Sequence, residues 1–334
     1  MFNCCRSPNE AAGRFVSMHA LGEKSGFLPS AMSKCRICPR QCEVDRRVAR
    51  GYCGAGAHLT INLWQRHLGE EPVISGTRGS GTIFFSHCNL RCVYCQNFKI
   101  SQYGWGKEYS VAELANIMLG LQRDGVHNIN LVTPTHFTPQ IRKAIIAARD
   151  QGLHLPVVWN SSAYEHPETL QTLEGLVDIY LPDFRYLDRD AALLYSLAPD
   201  YPERAMGAIL EMRRQVGRLR LDADGLAERG LLCRILVLPE NVNRADKILG
   251  WIAENLGTET YISLMAQYYP VHRAAFYPPL HRPITREEYQ YCLDFLDEFG
   301  FGKGFLQEPV ITPEWTPDFQ PSSRLGNREY VHEP

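Results

Sequence analysis

The chain has 334 residues and a near-neutral formal charge of −2, with 35 Lys and Arg residues against 37 Asp and Glu residues. This balance gives no electrostatic footprint for nucleic acid or for a membrane surface. No apolar run approaches the ~18 residues that span a bilayer, and no basic segment with an apolar core opens the chain as a secretory signal would.

The first elements along the chain are a leader and a cysteine-rich segment. Residues 1–30 show no hydrophobic period and are predicted to be a mobile leader. Residues 31–79 are predicted to form a cysteine-rich metal-binding module, residues 80–306 the main domain and residues 307–334 a C-terminal tail. Eleven cysteines indicate a reducing, cytoplasmic compartment, where clustered thiols bind metal more often than they form disulfides.

The cysteine-rich module contains four thiols in the spacing C-x2-C-x3-C-x10-C, at Cys35, Cys38, Cys42 and Cys53. Four thiolates at this spacing can close a tetrahedral zinc site or hold a second cubane iron–sulfur cluster. Small modules of this kind often owe their folding to the metal. The sequence therefore predicts a metal site, and it leaves open a structural zinc ion, an accessory cluster or no metal.

A second cysteine group follows the first predicted strand of the main domain, Gly81–Ser86. Cys88, Cys92 and Cys95 have the spacing C-x3-C-x2-C, and no fourth cysteine follows nearby. Soft thiolate ligands suit iron–sulfur clusters, and a cubane cluster normally takes four of them. Three thiolates would leave one iron with an open coordination position, where a metal site can carry out chemistry.

The remaining main domain alternates short apolar runs with helical patterns, which favours a parallel sheet with right-handed crossovers. Ser110 and Glu113 form a predicted capping box at the first helix. The predicted strands after Gly81–Ser86 are Asn128–Val132, Pro156–Trp159, Val177–Leu181, Leu231–Leu238 and Tyr261–Ala266. The predicted helices are Val111–Arg123, Pro139–Asp150, Pro167–Leu173, Ala191–Leu197, Pro202–Val216, Arg244–Asn255 and Arg286–Phe299.

These motifs resemble the radical S-adenosylmethionine (SAM) superfamily, in particular a branch of uncharacterised iron–sulfur proteins related to pyruvate formate-lyase activating enzyme. The matching strings, besides the three cysteines, include Glu70–Pro72, Gly76–Ser86, Val132–His136, Asn160–Tyr164, Asp178–Phe184, Leu236–Pro239 and Met265–Tyr268. The resemblance implies an α/β fold, a partial (β/α)6 radical SAM barrel that follows the N-terminal cysteine-rich metal module. It also implies a [4Fe–4S] cluster on Cys88, Cys92 and Cys95, with SAM bound at the open iron.

The resemblance also implies residues that bind the cofactor at the ends of the strands. In the superfamily a Gly-Gly-Glu segment usually follows the second strand, and here Thr133 and Thr135 stand in its place. The implied cofactor-binding residues are Tyr94, Thr133, Thr135, Asn160, Ser161, Arg234 and Gln267. Helix capping is the competing interpretation for Asn160 and Ser161, and Arg234 is expected to face the barrel interior or to pair with an acid.

Three further residues are candidates for catalysis. His136 could act as a general acid or base, although a structural histidine is the alternative interpretation. Asp183 and Arg185 stand where the activating enzymes carry an Asp-x-Lys pair, and an ordinary ion pair is the competing reading.

The implied activity is reductive cleavage of SAM to a 5′-deoxyadenosyl radical that abstracts hydrogen from a substrate. The resemblance suggests activation of a glycyl radical enzyme, with flavodoxin or ferredoxin as the electron donor. Two alternatives stay open: action on a small metabolite, or a non-catalytic iron–sulfur protein for electron transfer or metal binding. Ferredoxin-like carriers hold their clusters with four thiolates, so the three-cysteine site favours the enzyme.

Overall fold

The computed structural model describes residues 32–308 and 318–321. The predicted leader and most of the predicted tail lie outside these residues. No helix in the described part of the chain is long and apolar enough to cross a membrane.

Within the described residues a single sheet contains ten strands. They are β1 (Leu59–His67), β2 (Ser80–Phe85), β3 (Lys107–Tyr109), β4 (Ile129–Val132), β5 (Val157–Ser161), β6 (Ile179–Pro182), β7 (Arg220–Leu221), β8 (Ala227–Leu236), β9 (Tyr261–Met265) and β10 (Gly304–Leu306). Their order is β10-β9-β8-β6-β5-β4-β2-β1-β3, and β7 pairs with β8. The six predicted strands are β2, β4, β5, β6, β8 and β9, which pair in parallel in chain order.

Nine helices in the described residues connect these strands. They are α1 (Pro72–Ser75), α2 (Phe98–Ser101), α3 (Val111–Arg123), α4 (Thr138–Asp150), α5 (Pro167–Gln171), α6 (Arg189–Ser196), α7 (Tyr201–Val216), α8 (Ala245–Leu256) and α9 (Arg286–Phe299). Because each parallel strand lies beside the previous one, right-handed crossovers place their helices on one face of the sheet. The sheet curls into a barrel. This barrel is partial because the end strands β10 and β3 do not pair with each other.

The parallel strands are buried on both faces, as their continuous apolar runs require. In β5, Val157 and Trp159 pack in the main core with the helices, whereas Val158 between them packs in a separate inner cluster. In β6, Tyr180 belongs to the main core, and its neighbours Ile179 and Leu181 belong to the inner cluster. This two-residue period decides which side chains reach the barrel interior.

The helix boundaries follow the capping signals in the sequence. Helix α3 begins after Ser110, whose hydroxyl accepts the Glu113 backbone N–H at 3.2 Å while the Glu113 carboxylate accepts the Ser110 backbone N–H at 2.7 Å. This reciprocal pair is the predicted capping box. Helix α8 begins one residue later than predicted, at Ala245, because Arg244 adopts a left-handed conformation with φ of 59°.

Four strands were not predicted, and two of them change the edge of the sheet. β1 runs antiparallel to β2, and β3 pairs antiparallel with β1. β1 therefore joins the segment predicted as a separate cysteine-rich module to the sheet of the main domain. Strands β3, β7 and β10 have three residues or fewer, which is too short for a periodic pattern to identify.

Candidate functional site

A cavity of about 830 Å³ occupies the barrel interior. Inward-facing side chains near the C-terminal ends of successive parallel strands line it, and they include Phe84, Val132, Asn160, Arg234 and Met265. Enzymes with α/β barrels carry their chemistry at this end of the strands. The cavity is therefore the candidate active site.

The three cysteines of the C-x3-C-x2-C motif all line this cavity. The loop that carries them follows β2, and Arg91 within it has a positive φ of 59°. Cys88 Sγ accepts a backbone N–H from Leu90 at 3.4 Å, and Cys95 Sγ lies 3.2 Å from Ser101 Oγ. Burial raises the pKa of the Cys88 thiol and raises the pKa of the Cys95 thiol to about 12.

This donor set fits an iron–sulfur cluster. The three thiols are soft ligands that face one cavity, and Cys92 and Cys88 both act electrostatically on Cys95. A bound metal displaces the protons that burial favours. In residues 32–308 and 318–321, no three His, Cys, Asp or Glu side chains already stand in a metal-binding arrangement. The three thiols have the ligand chemistry that an iron–sulfur cluster needs, and they share one cavity.

Asp183 and Arg185 form a partly buried ion pair at the end of β6. Arg185 Nη2 donates to Asp183 Oδ2 at 2.6 Å, and both residues line the cavity. The Arg185 guanidinium also lies close enough to Cys92 and Cys95 to interact with them electrostatically. The two interpretations of these residues, an ion pair and a place in the candidate active site, are therefore compatible.

Arg234 satisfies both parts of its prediction, because it lines the cavity and pairs with acids. Its Nη2 donates to Glu70 Oε2 at 2.9 Å, and its Nε lies 3.1 Å from Glu71 Oε1 as an ion pair. Asp183 Oδ1 is 3.9 Å from the same Nε. The other oxygen of the Glu70 carboxylate accepts from Asn130 Nδ2 at 2.9 Å, so Glu70 links β4 to β8 across the interior. Sequence reasoning missed both glutamates as site residues, although Glu70–Pro72 was among the strings that carried the resemblance.

Asn160 and Ser161 line the cavity at the end of β5. They do not cap a helix, since they lie within the strand and His166 precedes α5. Ser161 Oγ donates to Glu165 Oε2 at 2.5 Å, while Trp159 Nε1 donates to Glu165 Oε1 at 2.9 Å. Glu165 is 1% exposed and was not predicted. Its carboxylate orients the end of this strand by accepting from Trp159 and Ser161.

Of the three candidate site residues in the segment after β4, only one lines the cavity. Thr133 lines the cavity, with a positive φ of 59° and its backbone N–H bonded to the Asn160 carbonyl at 2.9 Å. Thr135 and His136 do not line the cavity. Thr135 Oγ1 donates to Glu165 Oε1 at 3.0 Å, and His136 Nε2 is 2.8 Å from the Ser86 carbonyl.

The surroundings of His136 favour the structural interpretation. Its side chain is 1% exposed, and burial together with the nearby Arg46 guanidinium holds its pKa well below the ordinary value. The buried imidazole does not line the cavity. Its assignment as a general acid or base finds no support in this position.

Two aromatic residues and an amide complete the cavity wall. Tyr94 and Tyr268 pack edge to face with ring centroids 5.9 Å apart. Gln267 Oε1 accepts from Gln307 Nε2 at 3.0 Å, and the Gln267 carbonyl accepts from Gln96 Nε2 at 2.9 Å. These contacts place the predicted residues Tyr94 and Gln267 beside the cysteine loop and β10.

Comparison with known proteins gives one family match. Residues 82–218 match the family profile described as the Radical SAM superfamily. The chain is 29% identical over 294 residues to the uncharacterized protein MJ0674 of Methanocaldococcus jannaschii, a match that covers 86% of this chain and 81% of that protein. It is 22% identical over 151 residues to the uncharacterized protein MJ0808 of the same organism, covering 40% and 45%.

Among solved structures, SuiB from Streptococcus suis matches with a TM-score of 0.44 and 11% sequence identity. The match covers 67% of this chain and 47% of that one, so the chain spans less than half the length of SuiB.

Proposed function

The chain carries a radical SAM superfamily domain over residues 82–218, and on that premise we propose that it is an enzyme that holds a [4Fe–4S] cluster on Cys88, Cys92 and Cys95. The observation that supports this most is the convergence of three thiols on one cavity of about 830 Å³, a size typical of small-molecule sites. When bound, the cluster and SAM together supply a 5′-deoxyadenosyl radical that abstracts hydrogen from the substrate.

The residues of the chain would bind and orient SAM around this centre. Arg185 presents a planar guanidinium beside the cysteine loop, and such a group suits the methionine carboxylate of SAM. Asp183 holds that guanidinium in place at 2.6 Å. Asn160 offers an amide from the neighbouring strand end, in a place where the resemblance implies a SAM contact, whereas the Ser161 hydroxyl donates to Glu165.

The reaction should occur in a space protected from water, because a reactive radical must not meet solvent. The aromatic pair Tyr94 and Tyr268 is nearly fully buried, at 3% and 1% exposure, and packs along one side of the cavity. These rings give the cavity an apolar wall beside the cysteine loop.

The experiment that tests this function is anaerobic reconstitution with iron and sulfide, followed by SAM and dithionite. We expect the protein to form 5′-deoxyadenosine and the Cys92→Ala variant to form none. Cys292→Ala is the matched control, because Cys292 is a fully buried thiol of α9 away from the cavity lining. Undiminished 5′-deoxyadenosine formation by Cys92→Ala would overturn the assignment and favour a non-catalytic iron–sulfur protein.

For the substrate we propose a polypeptide segment, most simply a loop of a glycyl radical enzyme. The support is the resemblance to activating enzymes and two exposed leucines that border the cavity, Leu68 at 65% and Leu306 at 60% exposure. They belong to the regions of β1 and β10, near the two ends of the open sheet. Exposed apolar side chains at the mouth of a site are typical of protein contacts.

The substrate proposal has its own test. Incubation with SAM, a flavodoxin or ferredoxin as the reductant and a co-encoded glycyl radical enzyme should produce a protein-centred doublet in electron paramagnetic resonance. If a small metabolite alone drives stoichiometric 5′-deoxyadenosine formation and is itself converted, the proposal of a polypeptide substrate is wrong.

We also infer a cytoplasmic location, which is supported by the free thiols of all nine cysteines in the described residues.

A further inference from the structure

The four cysteines of the N-terminal segment lie together beside the barrel, outside the cavity described above. Cys35, Cys38 and Cys53 are buried, and Cys42 is half-buried. A Cβ atom placed on Gly51 would lie 3.3 Å from Cys42 Sγ and 3.4 Å from Cys53 Sγ. Cys38 in turn interacts electrostatically with Cys35 and Cys53. Residues separated by up to eighteen positions therefore converge on one small volume.

Backbone N–H groups point at most of these sulfurs. Three of the four accept a hydrogen bond from the residue two positions further along the chain. The donor and sulfur pairs are Ile37 with Cys35, Arg40 with Cys38 and Ala55 with Cys53. Hydrogen bonds donated to sulfur stabilise the thiolate more than the thiol, and they orient thiolate ligands around metals.

A buried arginine lies beside the same sulfurs. Arg46 is 2% exposed, and its guanidinium donates to backbone carbonyls, including that of Gly56 at 2.9 Å, and to the Cys35 sulfur. Among the described residues no Asp or Glu carboxylate forms an ion pair with it. Its charge does act on Cys35 and Cys53. A buried cation without a counter-ion is costly, so this position calls for negative charge on the neighbouring sulfurs.

The same group of cysteines contacts the loop of the candidate active site. The Cys53 carbonyl accepts the Cys88 backbone N–H at 3.4 Å. Arg40, which follows Cys38, donates from Nε to the Asn89 carbonyl at 2.8 Å. The Asn89 side chain in turn hydrogen bonds to Cys38. Two of the four cysteines therefore contact the loop, Cys53 at residue 88 and Cys38 at residue 89.

We propose that Cys35, Cys38, Cys42 and Cys53 hold a thiophilic metal centre, either a zinc ion or an iron–sulfur cluster, that fixes the conformation of the loop Cys88–Cys95. Four thiolates saturate such a centre and leave no position for SAM. Its negative charge neutralises Arg46. Binding of the metal is independent of the proposed function, and only the importance of the loop for catalysis rests on it.

The metal is tested in a variant that lacks the other cysteine group. The triple substitution of Cys88, Cys92 and Cys95 by Ala should retain either roughly one zinc or about four irons per chain by elemental analysis. Mössbauer spectroscopy then distinguishes a cluster from a mononuclear ion. Finding neither zinc nor iron in this variant would overturn the proposal.

Further substitutions in the triple variant assign the ligands. Cys42→Ala should lose the metal, and Cys42 is the least buried of the four, so this change disturbs the core least. Cys233→Ala is the matched control, because Cys233 is a buried thiol of β8 in the main core, and it should retain the metal. Equal metal content in the two variants would exclude Cys42 as a ligand and contradict a four-thiolate centre.

The effect on the loop is read by hydrogen exchange, which needs no enzyme activity. Removal of the metal from the triple variant with a chelator should increase exchange at the amides of residues 88–95, while helix α9 stays unchanged. Unchanged exchange at residues 88–95 would refute the link between the metal and the loop, even where the metal itself is confirmed. Loss of exchange protection in both segments would indicate global unfolding, which also contradicts a local role.

Discussion

Replacement of Arg234 by Met should destabilise the protein strongly, because it removes the cation that three carboxylates share inside the barrel. Arg234 is 12% exposed, and its partners Glu70 and Glu71 are 7% and 5% exposed. The nearest contacts are 2.9 Å to Glu70 and 3.1 Å to Glu71. Removing one partner of a buried ion pair leaves an uncompensated charge and costs about 3–5 kcal/mol.

The loss of stability in the Arg234→Met variant should depend on pH in a defined direction. Burial raises the pKa of Glu70 above its ordinary value, even though Arg234 lowers it. A carboxyl whose pKa is raised by folding binds more protons in the folded state, so stability falls as pH rises from its unfolded pKa through its folded pKa. Loss of Arg234 raises the folded pKa of Glu70 further. The deficit of the variant should therefore be smaller at pH 5 than at pH 7.5.

Urea unfolding under anaerobic conditions, followed by circular dichroism, measures the effect. For a slope of about 3 kcal/mol per M, a loss of 3–5 kcal/mol lowers the midpoint by roughly 1 M or more. Arg189→Met is the matched control, because Arg189 pairs with Glu203 and the two side chains are 63% and 49% exposed; such surface pairs contribute ~0–1 kcal/mol. Addition of Glu70→Gln to Arg234→Met should restore part of the stability. Equal losses in the Arg234 and Arg189 variants, or a deficit independent of pH, would refute this reasoning.

Two further substitutions test local features of the fold. Ser110→Ala removes the hydroxyl that accepts the Glu113 N–H in the first turn of α3 and should lower the free energy of unfolding by ~1 kcal/mol, as urea unfolding would show; no change would contradict the capping box. Gly304→Ala places a Cβ 2.1 Å from the Ile262 carbonyl oxygen and should destabilise the pairing of β10 with β9 by about 1–3 kcal/mol. Gly302→Ala meets nothing within 4 Å and should not disturb that pairing, so similar losses in both variants would exclude a steric cause.

Much of the fold could be predicted because its signals are local. Each of the six predicted strands is a short apolar run between helical patterns, and each exists within a few residues of its predicted limits. Helices α3 and α9 have the predicted ends, since Ser110 and Thr285 each open a capping box. The antiparallel strand β1 escaped prediction because its last residues, from Gln65 to His67, are polar and partly exposed.

The candidate site was predicted less completely, because several of its contacts join distant parts of the chain. Nothing in the sequence near Arg234 indicates that its partners are 164 and 163 residues away, at Glu70 and Glu71. Glu165 was missed for a related reason, since its role depends on three donors that only the folded β5 region brings together. The sequence left two interpretations open for His136, acid–base catalysis and a structural role, and its buried position outside the cavity lining favours the structural one.

The cysteine loop between β2 and α2 is held by backbone contacts from three different regions. The Cys88 N–H bonds to Cys53 of the N-terminal segment, and the Val93 N–H bonds to the Tyr195 carbonyl at 2.9 Å. The Val93 carbonyl accepts the Arg273 N–H at 3.0 Å. These contacts act together with the proposed N-terminal metal centre, and a loop that is already ordered loses less entropy when a cluster binds. Hydrogen abstraction requires a substrate held within a few tenths of an ångström of its reactive position. The N-terminal segment therefore contacts the loop of the candidate active site, and the metal centre proposed there would act on the chemistry through the position of that loop.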